Sequence, residues 1–304
     1  MIDCRWCGRD TLGTYAGALA CREPRQTVAA NAKRNGPPGL GQRRCNRGFE
    51  ELLGGIHHWR VWHLLGVNDL RHRYARSKLG QLWLTLSTAI MIGVLAVVYS
   101  LLFNQPIHEL MPFIGVSLIM WNYLSQVLNE CTSIFVTQGS LYRNQKMNFS
   151  VSIYSVIYKN TIMLAHSLVI IVVLIIVFNV PVNWYLLQIV PAFGLTWTGM
   201  VWLGYLIAMV CVRYRDIIQL ITTWLTVLFF VTPVMWKADF LPRQYHSIIE
   251  FNPLAQFLEI LRNPLLGQPV SSYAWLSTTV IALGGGLMTL AVIGYYHRRI
   301  IFWT

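Results

Sequence analysis

The sequence predicts an all-α polytopic membrane protein with six transmembrane helices. An N-terminal interfacial amphipathic helix precedes them, and a re-entrant helical loop joins spans five and six. Three observations carry this reading. Mean hydropathy is +0.48, and only 12% of residues are charged, where a soluble domain has about 25%. Apolar stretches of about 20 residues recur, and at about 1.5 Å per residue each can cross a hydrocarbon core of about 30 Å. Lys and Arg gather in alternate connections, the pattern of cytoplasmic loops. The net charge of +12 therefore reads as loops facing anionic lipid and not as a nucleic-acid surface.

The elements follow from the charge-free windows. Residues 1–51 are basic, carry the turn-forming run Gly36–Gln42 and show no helical or alternating period. They read as a disordered extension. No apolar core follows the first basic residues, so the start does not read as a signal peptide. The change of character near Leu52 motivates the expectation that translation begins downstream. Cys4 and Cys7 form a CxxC, but Cys21 and Cys45 are not a second close pair, so no metal site is expected.

Residues 52–81 read as a cytoplasmic interfacial helix. Trp59, Trp62 and Leu65 recur every three residues beside Arg60, Arg71, Arg73, Arg76 and Lys78, an apolar face next to headgroup-level cations. Leu82–Phe103 is the first span and about Pro112–Cys131 the second. The basic loop Thr137–Ser150 follows. From Thr161 to Val212 there is no charged residue. Asn179, Pro181 and Asn183 break this stretch into a third span, Thr161–Phe178, and a fourth, Trp184–Val212. Ile217–Trp236 is the fifth.

Residues 237–272 mix four prolines with apolar pieces too short to span. Ile248–Ile249 and Leu254–Leu261 read as two short helices parted by Asn252–Pro253, because Asn caps a helix and Pro starts one. Such pieces suit a re-entrant extracytoplasmic loop. Glu259 and Arg262, three apart, share a helical face. Tyr273–Tyr296 is the sixth span, where Gly284, Gly285 and Gly286 allow close helix approach. The transmembrane domain is thus 82–304, with both termini cytoplasmic.

The chain has no GxxxxGK[ST], HExxH or GxSxG motif and no cluster of intramembrane carboxylates. These absences argue against a self-powered pump, a protease, a serine hydrolase and an ion-driven carrier. No catalytic residue is assigned. His166 alone lies within a predicted span; it is read as a polar group bonding a neighbouring helix, with a proton relay as the rival. Tyr99, Trp197, Trp202, Tyr205, Trp224, Phe229 and Phe230 sit deep in the spans. In a pore they would stack on the apolar faces of sugar rings; otherwise they pack the core.

Four stretches resemble the membrane subunit of ABC-2-type polysaccharide exporters. They are Arg73–Trp83, Arg213–Ile217, Thr232–Trp236 and Phe251–Gly267, in the family's order. Two positions depart from the family's pattern: Ser87 and Ser150 stand where family members often have Pro. The resemblance implies a homodimer with two copies of a cytoplasmic ABC ATPase, which carries the ATP and Mg; this chain itself needs no cofactor. It implies a substrate polymer on undecaprenyl diphosphate, with O antigen favoured. Capsule or teichoic acid export is the alternative within the family, and an ATP-independent channel or scaffold is the alternative outside it. The implied location is the cell inner membrane.

On this reading Arg71, Arg73 and Arg76 admit the lipid diphosphate, since Arg makes charge-assisted bidentate phosphate contacts. Asn252, Pro253, Glu259 and Arg262 form an outer gate. The ATPase contact falls at Gly139–Ser150, where Tyr142 and Met147 offer apolar surface beside Arg143, Gln145 and Lys146.

Overall fold

The computed structural model describes residues 40–74, 81–144 and 147–303. Every regular element among them is helical. The expectation for residues 1–39, and those for Arg76, Gln145 and Lys146, lie outside the described residues. The chain divides at Gln42, and the packing below is that of the unit beginning at Arg43.

Two helices precede the membrane part: α1 (Leu40–His57) and α2 (Trp59–Tyr74). The extension therefore takes up helix at Leu40, not after Glu51. Glycine makes this possible, because Gly48 brings the α1 backbone against the carbonyl of Leu290. A disorder argument from composition does not register such a contact.

Among the described residues, five helices are long and apolar enough to cross a membrane. They lie in α3 (Gln81–Phe103), α4 (Ile107–Thr137), α6 (Phe149–Val177), the segment Trp184–Arg213, and α11 (Ser272–Trp303). The segment Trp184–Arg213 opens with a 3-10 turn, Trp184–Gln188, and continues as α7 (Ile189–Arg213). Between α4 and α6 lies the six-residue α5 (Gly139–Asn144). The expected fifth span is a 15-residue helix, α8 (Ile217–Val231). At about 1.5 Å per residue it is near 22 Å long, short of a hydrocarbon core of about 30 Å. The backbone turns extended at Thr232, so Thr232–Trp236 do not prolong the helix as expected.

Two spans start earlier or end later than a charge-free window allows. The second runs from Ile107 to Thr137 and includes Glu109 and Glu130. The third begins at Phe149, twelve residues before Thr161. Both continue through charged residues that find partners: Glu109 pairs with Lys237 at 3.2 Å and Glu130 with Lys159 at 3.0 Å. Asn104 and Asn179 end the first and third spans at φ of 50° and 49°, the left-handed conformation Asn tolerates best after Gly.

The helix α4 is the hub. It packs against α3, α6, α7 and α8, and against α10 (Pro253–Leu265). Its apolar window is 78% buried, whereas that of α3 is 11% buried and that of α11 is 22% buried. The short α9 (His246–Glu250) precedes α10. As expected, Asn252 caps α10, its side chain accepting from the Leu254 N–H at 3.1 Å, and Pro253 takes the first helical position. Most of α10 is buried against α4, α7 and α11.

Of the three consecutive glycines in α11, only Gly285 meets a neighbour, the ring of Trp202; Gly284 and Gly286 face open space. Among the described residues His166 makes no hydrogen bond to another helix; its Nδ1 lies 2.9 Å from the Ile162 carbonyl of its own helix.

Candidate functional site: a groove, a shared carboxylate and an elbow

Within α4, Asn122, Ser125 and Asn129 recur at helical spacing, so they fall on one face. Ser87 and Thr88 of α3 and Thr226 of α8 face the same space. Trp121, Phe229 and Phe230 complete its wall. The result is a groove of about 510 Å³, within the range of sites that hold small ligands. Trp121 and Phe229 lie 5.9 Å apart, and Phe229 meets Phe230 edge-on. Aromatic faces beside amides and hydroxyls match the two aspects of a sugar, its apolar C–H face and its hydroxyl rim.

The other deep aromatics have different neighbours. Tyr205 is fully enclosed, its ring 5.5 Å from Phe135, and has no surface to offer a polymer. Trp197 stacks on Tyr154, and Trp202 covers Gly285. Tyr99 packs beside Phe103, and Trp224 is exposed. Of the candidate channel aromatics, only Phe229 and Phe230 reach the groove. Sequence reasoning missed its polar half, although polar residues at i, i+3 and i+7 of an apolar span are a legible signal. Ser87, one of the two departures from the family pattern, donates to the Trp83 carbonyl at 2.8 Å.

Below the groove, three helices meet at one carboxylate. Glu130 on α4 receives Arg73 of α2 at 3.2 Å, and Lys159 and Asn160 of α6 at 3.0 and 2.9 Å. Lys159 also lies 3.7 Å from Asp69 of α2. Arg73, expected among lipid phosphates, thus has a protein partner; Arg71 is exposed. The helix α2, expected at the membrane interface, does not lie free of the bundle. Gly66 sits against the Ser155 carbonyl, where an added Cβ would come within 3.1 Å, and Trp62 packs on Tyr158. Trp59 and Leu64 remain exposed.

The third feature is the elbow between α4 and α6. Tyr142 on α5 turns inward, not toward a partner as expected. It is 7% exposed, its ring lies 4.4 Å from Phe149, and its hydroxyl bonds Ser152, which in turn bonds Gln138. An aromatic this large beside two Phe rings buries more area inside the fold than it would leave on the surface. Met147 is half-buried and Gly139 buried.

The elbow is also held from α1. Glu51 accepts from the Ser150 N–H at 3.3 Å, its carbonyl accepts from the Ser150 hydroxyl at 2.6 Å, and Tyr154 donates to the Leu52 carbonyl at 3.2 Å. A proline at 150 would have no N–H to give, so this departure from the family pattern has a structural use. Burial pushes the Glu51 carboxyl up to about 7, against the opposing pull of the backbone N–H groups of Ser150 and Phe149.

The family model described as ABC-2 type transporter matches residues 61–266, the stretch that carries the groove, the shared carboxylate and the elbow. The chain belongs to this family. The ABC-2 type membrane subunit normally works with an ATPase partner and lacks the ATPase motif itself. Two curated relatives from Klebsiella pneumoniae, each named O-antigen export system permease protein RfbA, are 18% and 19% identical over 239 and 234 residues. Both alignments cover 76% of this chain and 88% of the relative. A protein of the same name from Myxococcus xanthus is 27% identical over 170 residues, 55% of this chain and 65% of that one. This ABC-2 type chain is therefore a multi-pass membrane protein, and its match ends at Leu266, the C-cap of α10.

Proposed function

We propose that this chain is the membrane subunit of an exporter of undecaprenyl diphosphate-linked polysaccharide, most closely O antigen, driven by a separate ATPase. The observation that carries the reading is the groove. Phe229 and Phe230 supply stacking faces beside the buried Trp121, and Asn122, Ser125, Asn129 and Thr226 supply donors and acceptors. The names of the three curated relatives point to the same cargo.

The chain works as a homodimer in the inner membrane, with both termini cytoplasmic. The weakly covered first span and last helix leave apolar faces for lipid or the second copy. The short α8 and the non-helical Thr232–Trp236 together complete a sixth crossing. Residues 237–272 re-enter from the outer side, with Asn252, Pro253, Glu259 and Arg262 in the outer gate. Two ATPase subunits, holding ATP and Mg, engage the elbow Gly139–Ser150 through Arg143, Gln145, Lys146 and Met147. Tyr142 braces that contact from inside. The chain itself is not an enzyme and carries no cofactor.

Depletion of the chain in cells that make its polymer tests this. The lipid-linked polymer should accumulate on the cytoplasmic leaflet, and Phe229→Ala with Phe230→Ala should reproduce the block without loss of the protein. Normal appearance of polymer on the outer leaflet in depleted cells would overturn the reading.

A further inference from the structure

Glu130 occupies a site built for an anion. Three donors from two neighbouring helices converge on its carboxylate: Arg73 at 3.2 Å, Lys159 at 3.0 Å and Asn160 at 2.9 Å. Asn160 is 2% exposed and its amide also donates to the Val156 carbonyl at 2.9 Å, so its orientation is fixed. Lys159 is 12% exposed, whereas Arg73 is 46% exposed, so the site is walled on one side and open on the other. Arg73 is held over it by a contact to Met163 Sδ at 3.4 Å. Asp69 contributes a further carboxylate, 3.7 Å from Lys159.

The site also leads somewhere. Asn160 borders a cavity of about 100 Å³ whose wall includes Thr88, Asn122, Gln126 and Ser167. Thr88 and Asn122 line the aromatic groove as well. An anionic head at Arg73 and Lys159 would therefore have its attached group beside this mixed polar and apolar wall, which adjoins the groove at Thr88 and Asn122.

We propose that Glu130 is an internal stand-in for a diphosphate: the resting protein fills the Arg73–Lys159–Asn160 site with its own carboxylate, and an incoming diphosphate displaces it. A phosphate oxygen accepts from the same donors with the same geometry, and a diphosphate brings more charge than a single carboxylate. Displacement breaks the Arg73–Glu130 link and so loosens α2 from α4, which couples head-group arrival to movement of the interfacial helix. This rests on the proposed function for the identity of the attached group.

An internal competitor lowers apparent affinity by the fraction of time the site is open. A site open a tenth of the time therefore gains about tenfold when the competitor is removed. The test uses the full chain in discs of zwitterionic lipid, titrated with inorganic diphosphate and with farnesyl diphosphate. Glu130→Gln is expected to bind about tenfold more tightly than wild type, and Lys159→Met added to it should abolish the gain. Tightening toward both probes assigns the site to the diphosphate alone. Tightening toward the prenyl probe only assigns it to a lipid head group. No tightening toward either, or a gain that survives Lys159→Met, overturns the proposal. If Glu130→Gln does not fold, Glu130→Asp withdraws the carboxylate by one methylene, and an unchanged affinity there is equally fatal. Polymer export with unaltered diphosphate affinity would sink this inference while leaving the proposed function standing.

Discussion

Removing the guanidinium of Arg262 should release the helix α10. The side chain is 8% exposed. It donates to the Pro233 carbonyl at 2.7 Å and to Ser117 Oγ at 3.5 Å, and lies 4.5 Å from the centre of the Phe113 ring. It thus ties α10 to the turn after α8 and to the hub helix α4. Glu259, three residues back, is occupied elsewhere, accepting from the Ser271 N–H at 3.2 Å.

In Arg262→Met the stem packing is retained and no large cavity opens. What is lost is a charge-assisted hydrogen bond, at about 1.5–3 kcal/mol, and a cation–π contact of about 0.5–2 kcal/mol. The Pro233 carbonyl is also left without this donor. A loss of about 3 kcal/mol follows, which is about 100-fold in the equilibrium for opening α10. Leu258 is 1% exposed on α10, so a cysteine there reports opening. Labelling by an impermeant maleimide added outside tracks the open population when closing is fast. Leu258→Cys should react slowly in the wild-type background and about 100-fold faster with Arg262→Met. Arg262→Lys, which keeps the charge but loses the fork, should fall between. Equal labelling rates in all three backgrounds would refute the idea that Arg262 pins this helix.

Further tests follow from the same geometry. Gly285→Ala drives a methyl into the Trp202 ring and should cost about 1–3 kcal/mol, read as a lower melting temperature. Gly284→Ala and Gly286→Ala meet nothing and should be neutral or stabilising by up to about 1 kcal/mol through helix propensity. The Glu51 carboxyl is held near 7 against an ordinary 4.5 by burial, so the folded state binds its proton more tightly than the unfolded one. Stability from this group is present at low pH and is lost as pH rises through 7. The melting temperature should therefore fall between pH 5 and pH 8, and Glu51→Gln should flatten that fall, with a difference of no more than about 3 kcal/mol. At the elbow, Tyr142→Ala should cost about 3–5 kcal/mol by leaving a cavity among Phe135 and Phe149. Tyr142→Phe, which loses only the bond to Ser152, should cost about 1 kcal/mol; protein yield and thermal unfolding separate the two.

The sequence by itself determined what the solvent demands. A chain with long charge-free windows must form helices that satisfy their own backbone in lipid. The class, the break at Asn179–Pro181 and the Asn252–Pro253 helix start were therefore all readable. So was the family, because the motifs near Arg73, Arg213 and Phe251 stand inside the matched region. Local chemistry explains each of these: capping, turn propensity and hydropathy act within a few residues.

Only the tertiary structure decided where charges end and which side chains face which way. A charge-free window cut the third span at Thr161, because an isolated Lys159 looks unburiable. The structure supplies Glu130 as its partner and the helix runs back to Phe149. Tyr142 looked like a surface anchor, yet Phe135 and Phe149 enclose it. Residues up to Glu51 looked too polar to fold, yet Gly48 and Glu51 fit against α11 and α6. The groove joins α3, α4 and α8, and its lining runs from Ser87 to Phe230 in the sequence. In each case the deciding energy lies in a pairing between distant segments. One sequence displays both members of a pair, but only packing states that they meet.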